Sequence, residues 1–91
     1  MRSVSESAST VAVRVLLFAT YAEQAGSALI ELTLPAPATV QDVLRRLRAS
    51  LPGAEQLPDQ PLAAVNRSHA RLTTPVGDGD EVAFLPPLAG G

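Results

Sequence analysis

At 91 residues, with seven basic and nine acidic side chains and a net charge of −2, the chain is one small domain without the field of a nucleic-acid binder. It has no cysteine, which excludes disulfides, thiolate metal sites and cysteine nucleophiles; its one histidine, His69, is too little for a metal site, and a Ser/His/Asp set would have to use it. All seven basic residues are arginine, so no lysine is available for a Schiff base or for isopeptide linkage of the chain to itself.

Residues 1–10 hold four serines and little that could pack, and are expected to be a disordered leader. Val11 to Ala19 is rich in Val, Leu and Phe and predicts a strand. It is far shorter than the roughly 18 apolar residues of a membrane span and contains Arg14. No cleavage signal follows it, so the expected compartment is the cytoplasm. Thr20 to Ser27 is a connection with a helical turn over Tyr21 to Gln24, which Gly26 can end. Ala28 to Leu34 alternates as a second strand, and Pro35-Ala36-Pro37 stops it.

Val40, Val43, Leu44, Leu47 and Leu51 recur at helical spacing and predict a helix from Val40 to about Ser50. Thr39 and Asp42 have the spacing of a capping box, and Asp42 can pair with Arg46 one turn on. Pro52-Gly53 ends the helix. Ala54 to Pro61 is a loop, Leu62 to Asn66 a strand, Arg67-Ser68 a turn and His69 to Leu72 a return strand. Pro75 to Asp80 is a turn, and Glu81 to Leu85 is the last strand. The order implies an α+β domain over residues 11–85: a mixed sheet of four to five strands, one main helix on one face and the other face open. The first and last strands can lie parallel at its centre.

Strand parity then locates a surface. Arg14 faces water, so Leu16 and Phe18 face outward with it, while Val13, Val15 and Leu17 face the helix. Glu81 faces water, so Ala83 and Leu85 do too, while Val82 and Phe84 turn inward. If the two strands are neighbours, Leu16, Phe18, Ala83 and Leu85 form one exposed apolar patch, the usual mark of a partner site.

That patch lies at the root of the tail Pro86-Pro87-Leu88-Ala89-Gly90-Gly91. The prolines stiffen it, and two final glycines leave a slim tip carrying a carboxylate that another enzyme's narrow channel could admit. Residues 86–91 are therefore expected to form an extended arm. Other polar groups are less informative. Arg45, Arg46 and Arg48 form a solvated helix face that complements the helix dipole. Asp78, Asp80 and Glu81 lack the spacing of a calcium loop. No phosphate-binding loop is present, and no side-chain set in the chain makes a catalytic constellation.

The segment Asp78-Gly79-Asp80-Glu81-Val82-Ala83-Phe84-Leu85-Pro86-Pro87-Leu88-Ala89-Gly90-Gly91 resembles the ending of molybdopterin synthase small subunits, the sulfur carriers of molybdenum cofactor biosynthesis. Val13 to Ala19 with Gly26, Thr39-Val40-Gln41-Asp42-Val43-Leu44 and Ala64-Val65-Asn66 are similar to other parts of that family. The resemblance covers residues 11 to 91; the serine-containing leader departs from it. It implies the ubiquitin-like β-grasp fold. It also implies a non-catalytic, sulfur-donating small subunit of a heteromeric sulfurtransferase, with Gly91, preceded by Gly90, as the reactive end. An adenylating, E1-like enzyme would convert the Gly91 carboxylate to an acyl adenylate using ATP and Mg, with no cofactor held permanently by this chain. A sulfur donor protein would then make the thiocarboxylate. The large synthase subunit would receive the tail and pass sulfur to a cyclic pyranopterin precursor. Leu16, Phe18, Ala83, Leu85, Pro86, Pro87 and Leu88 are the expected partner contacts, with no metal, nucleic acid or membrane involved. Carriers feeding thiamine, cysteine or tRNA thiolation, and ubiquitin-like protein modifiers, share the same ending and stand as alternatives. So does a plain interaction module with an inert tail.

Overall fold

The computed structural model describes residues 9–87. Along the chain it forms β1 (Thr10–Leu17), α1 (Thr20–Ala25), β2 (Leu29–Pro35), β3 (Ala38–Thr39) and α2 (Val40–Ser50). A 3-10 turn (Ala54–Gln56), β4 (Leu62–Val65), β5 (Ser68–Ala70), β6 (Pro75–Val76) and β7 (Glu81–Leu85) follow. The five-stranded sheet has the order β2-β1-β7-β4-β5, and β3 and β6 pair separately. β1 and β7 are parallel neighbours at the centre, with Val15 beside Val82 and Leu17 beside Phe84, while the other pairs are antiparallel.

Alternation along β1 sends Val11, Val13, Val15 and Leu17 to one face, where α2 places Val40, Val43, Leu44 and Leu47 against them. Val82 and Phe84 of β7 complete the centre of this core, both without solvent exposure. Each such side chain contributes about 1.5–3 kcal/mol on burial. The helices lie on this face, so among the described residues no helix covers the opposite face of the sheet.

The helix start is the predicted capping box: the Asp42 N–H donates to Thr39 Oγ1, and the Thr39 N–H donates to Asp42 Oδ2 at 2.9 Å. The expected Asp42–Arg46 pair is not formed; Arg45, three residues on, approaches Asp42 at 3.8 Å instead. Arg48 is more than part of a solvated face. It pairs with Asp59 at 2.9 Å and donates to the Glu55 carbonyl, fastening the segment after the helix. Gly53 is required there. Its φ is +92°, and a Cβ would lie 2.0 Å from the Gln24 carbonyl oxygen.

Several elements differ from the sequence expectation. β1 ends at Leu17, because Ala19 turns the chain at φ 53°, ψ −128° into α1, a full short helix closed by Gly26 at φ 79°. β3 and β6 are two residues each, too short for any periodicity to mark. The β4–β5 turn is Asn66-Arg67, not Arg67-Ser68. Both residues have positive φ, 50° and 72°, the geometry that lets a two-residue loop follow the strand twist. Asn66 is held in it by its own side chain, which donates to Asp80 Oδ1 and accepts from the Glu81 N–H.

Candidate functional site

The parallel register of β1 and β7 builds the site. Leu16 lies beside Ala83 and Leu17 beside Phe84, and continuing that register one residue past the end of β1 brings Phe18 level with Leu85. All four sit on the face away from the helices, as parity requires. Leu16 and Leu85 are half-buried, and Phe18 is 44% exposed although it lies just past the strand end. Its carbonyl accepts the Tyr21 N–H, tying this position to the first turn of α1.

Ala83 departs from the expectation of an exposed side chain: it is buried, at 8%. It nevertheless stands apart from the main core cluster. Its methyl group is short, and Leu16 and Ala64 flank it in the same row of the open face. It is a floor of the patch rather than a knob on it.

The patch is wider than the sequence showed. Leu29 of β2 pairs with Leu16, and Leu62 of β4 pairs with Leu85. They are 51% and 48% exposed, and with Phe18 they are the large exposed hydrophobic residues of the described chain. All three lie on one face. The alternation Leu29-Ile30-Glu31-Leu32 already put Leu29 outward with Glu31, but nothing local placed β2 beside Leu16 or β4 beside Leu85. His69 lies at the far end of the same row, opposite Ala64, and is exposed.

Pro86 is half-buried and Pro87 exposed, so the chain leaves β7 directly from the patch. Leu88, Gly90 and Gly91 lie outside the described residues, as does the leader up to residue 8.

The other end of the open face is polar and tightly hydrogen-bonded. Asp78 Oδ1 accepts the Ala12 N–H at 2.8 Å, and the Gly79 N–H donates to the Ala12 carbonyl at 2.7 Å. Asp80 accepts the Gly77 N–H at 2.7 Å and the Asn66 side-chain amide at 2.9 Å. The Gly77 N–H first, and the Asn66 amide second, hold its carboxyl below the ordinary aspartate value. This cluster locks the start of β7 against β1. Arg45 and Arg46 lie elsewhere, beside a groove of about 390 Å³ between α2 and the end of β2. Among the described residues no helix is long and apolar enough to cross a membrane.

The chain matches the ThiS family over residues 15–91. It is 40% identical over 81 residues to a protein of Escherichia coli strain K12 named molybdopterin synthase sulfur carrier subunit, an alignment covering 87% of this chain and 99% of that one. A protein of the same name from Arabidopsis thaliana is 32% identical over 87 residues, covering 96% and 91%. The crystal structure of SAMP1 from Haloferax volcanii superposes with a TM-score of 0.78 at 33% identity, covering 88% of this chain and 99% of that one.

Proposed function

We propose, because the chain belongs to the ThiS family and folds as a ubiquitin-like β-grasp domain, that it is a sulfur carrier of molybdenum cofactor biosynthesis. The observation that carries the reading is the coincidence of the apolar open face with the root of a tail written Pro86-Pro87-Leu88-Ala89-Gly90-Gly91. The two named sulfur carrier subunits at 40% and 32% identity support the molybdopterin branch.

A carboxylate is a poor electrophile until one oxygen becomes a leaving group. In this reading the Gly91 carboxylate oxygen attacks the α-phosphate of ATP on an adenylating enzyme, where Mg assists, and pyrophosphate leaves. A sulfur donor protein then supplies sulfur at the sulfide level, which attacks the acyl carbon as the C–O bond to AMP breaks, giving a thiocarboxylate and free AMP. The sulfur is then a better nucleophile than the oxygen it replaced. The large synthase subunit covers Phe18, Leu29, Leu62 and Leu85, takes the tail into its active site and passes the sulfur to a cyclic pyranopterin. This chain contributes no side chain to any bond-making step. Its work is to present the carbonyl and to bind. Gly90 and Gly91 give the clearance, since no Cβ widens the tip. These reactions belong in the cytoplasm, where ATP and the partners are at hand.

SAMP1, a small archaeal modifier protein by name, supports a second reading. There a lysine amine of a target protein would capture the same acyl adenylate. Reconstitution with the large subunit, the adenylating enzyme and a sulfur source separates the two. Sulfur transfer to the pterin precursor supports the carrier reading, and adducts on other proteins without pterin sulfuration would replace it by the modifier reading. Deleting Gly91, or adding one residue after it, should abolish transfer while thermal unfolding stays unchanged; retained transfer would contradict both readings.

A further inference from the structure

The apolar rows of the open face stop abruptly. One row below Leu16 and Ala83, about 7 Å along the strands, the face turns charged: Arg14 stands opposite Glu31 of β2 and beside Glu81 of β7. Among the described residues Arg14 forms no ion pair with either glutamate. A hollow of about 310 Å³ opens at this row, with Arg14, Glu31 and Gly79 in its lining. Asp78 and Asp80 lie just beyond, their carboxylates fixed by the Ala12 and Gly77 N–H groups. Glu31, Glu81, Asp78 and Asp80 outnumber the two arginines of this end, Arg14 and Arg67. The Ala12 and Gly77 N–H groups hold the Asp78 and Asp80 carboxylates at this end of the sheet.

A protein that covers the apolar rows brings its surface within one screening length of this row. Covering it removes two carboxylates from water with one guanidinium between them, and a carboxylate left unpaired on desolvation is strongly unfavourable. The covering surface must supply the missing cation. We propose that the partner receiving the tail spans the whole open face and sets a basic side chain on the Glu31–Arg14–Glu81 row. The apolar rows hold the complex, and the acidic row selects the partner and speeds its approach. This inference rests on the sulfur-carrier reading, because it takes the large synthase subunit as that partner.

The test is the association rate of the full chain with the large synthase subunit, at low and high salt. For the wild type the rate should fall as salt rises. Replacing both acids, Glu31→Arg with Glu81→Arg, should slow association about tenfold at low salt and much less at high salt. Arg14→Gln should bind as fast or faster. The pair Glu31→Gln and Glu81→Gln should act in the same direction as the reversal but less, which keeps the test valid if the reversed pair folds poorly. A salt-independent wild-type rate, or charge changes without effect while Phe18→Asp still weakens the complex, would overturn the inference and leave the carrier reading standing. A wild-type chain that cannot bind the large subunit even with its terminus thiocarboxylated would end both.

Discussion

The two faces of the β1–β7 pair share one backbone and divide the work. Inward, Val15, Val82 and Phe84 are fully enclosed and hold the domain together. Outward, Leu16, Phe18 and Leu85 keep solvent exposure, and Leu29 and Leu62 extend them across β2 and β4. A residue's place in the alternation decides whether its loss is felt as instability or as lost binding. Apolar character alone does not distinguish the two faces; the presence of α2 over one, and of no helix among the described residues over the other, does.

The largest effect on stability should come from the inner face. Phe84→Ala removes a fully buried aromatic ring and should destabilise the domain by about 3–5 kcal/mol, measured by denaturant unfolding. For so small a core that is a large share of the total. A loss below about 1 kcal/mol would show that the site collapses to fill the space and that the division between the faces is weaker than stated.

Next is the outer face. Phe18→Asp should weaken binding to the large synthase subunit about tenfold or more, while changing unfolding free energy by no more than about 0.5 kcal/mol. Leu85→Asp should weaken binding similarly with a somewhat greater stability cost, since Leu85 is half-buried. Unfolding of the Phe18 variant would break the comparison outright.

Both faces of this pair were legible in the sequence because Arg14 and Glu81 fix the phase of the alternation, and one misplaced residue would have reversed every assignment. Helix α2 was legible for a similar reason, with its apolar spacing and Thr39–Asp42 cap agreeing. What escaped was non-local. Leu29 and Leu62 join the patch only through strand pairing, which no short window of sequence reveals. Ala83 is buried by the size of its neighbours, not by its own parity. The β3–β6 bridge is two residues long on each side, and the Asn66-Arg67 turn depends on hydrogen bonds to Asp80 and Glu81, more than ten residues away.

The smallest expected effect lies at the polar end of the sheet. Asp80 is held below the ordinary aspartate value by the Gly77 N–H and then the Asn66 amide. A carboxyl with a depressed folded value stabilises the fold fully above its unfolded value, and that contribution is lost as pH falls through the folded one. Wild type should therefore exceed Asp80→Asn in stability at neutral pH, with the gap closing below about pH 4. A gap that persists unchanged into acid would place the effect in packing rather than charge. Partner binding at neutral pH should respond to this change far less than to Phe18→Asp.

The most direct measurement is the intact mass of the chain after incubation with the adenylating enzyme, Mg-ATP and a sulfur source, compared with the same chain lacking Gly91. The account predicts a mass rise equal to one oxygen replaced by sulfur, located by fragmentation at Gly91 and absent from the shortened chain. Sulfur found on any other residue, or an unchanged mass in the presence of an enzyme active on its own carrier, would contradict it.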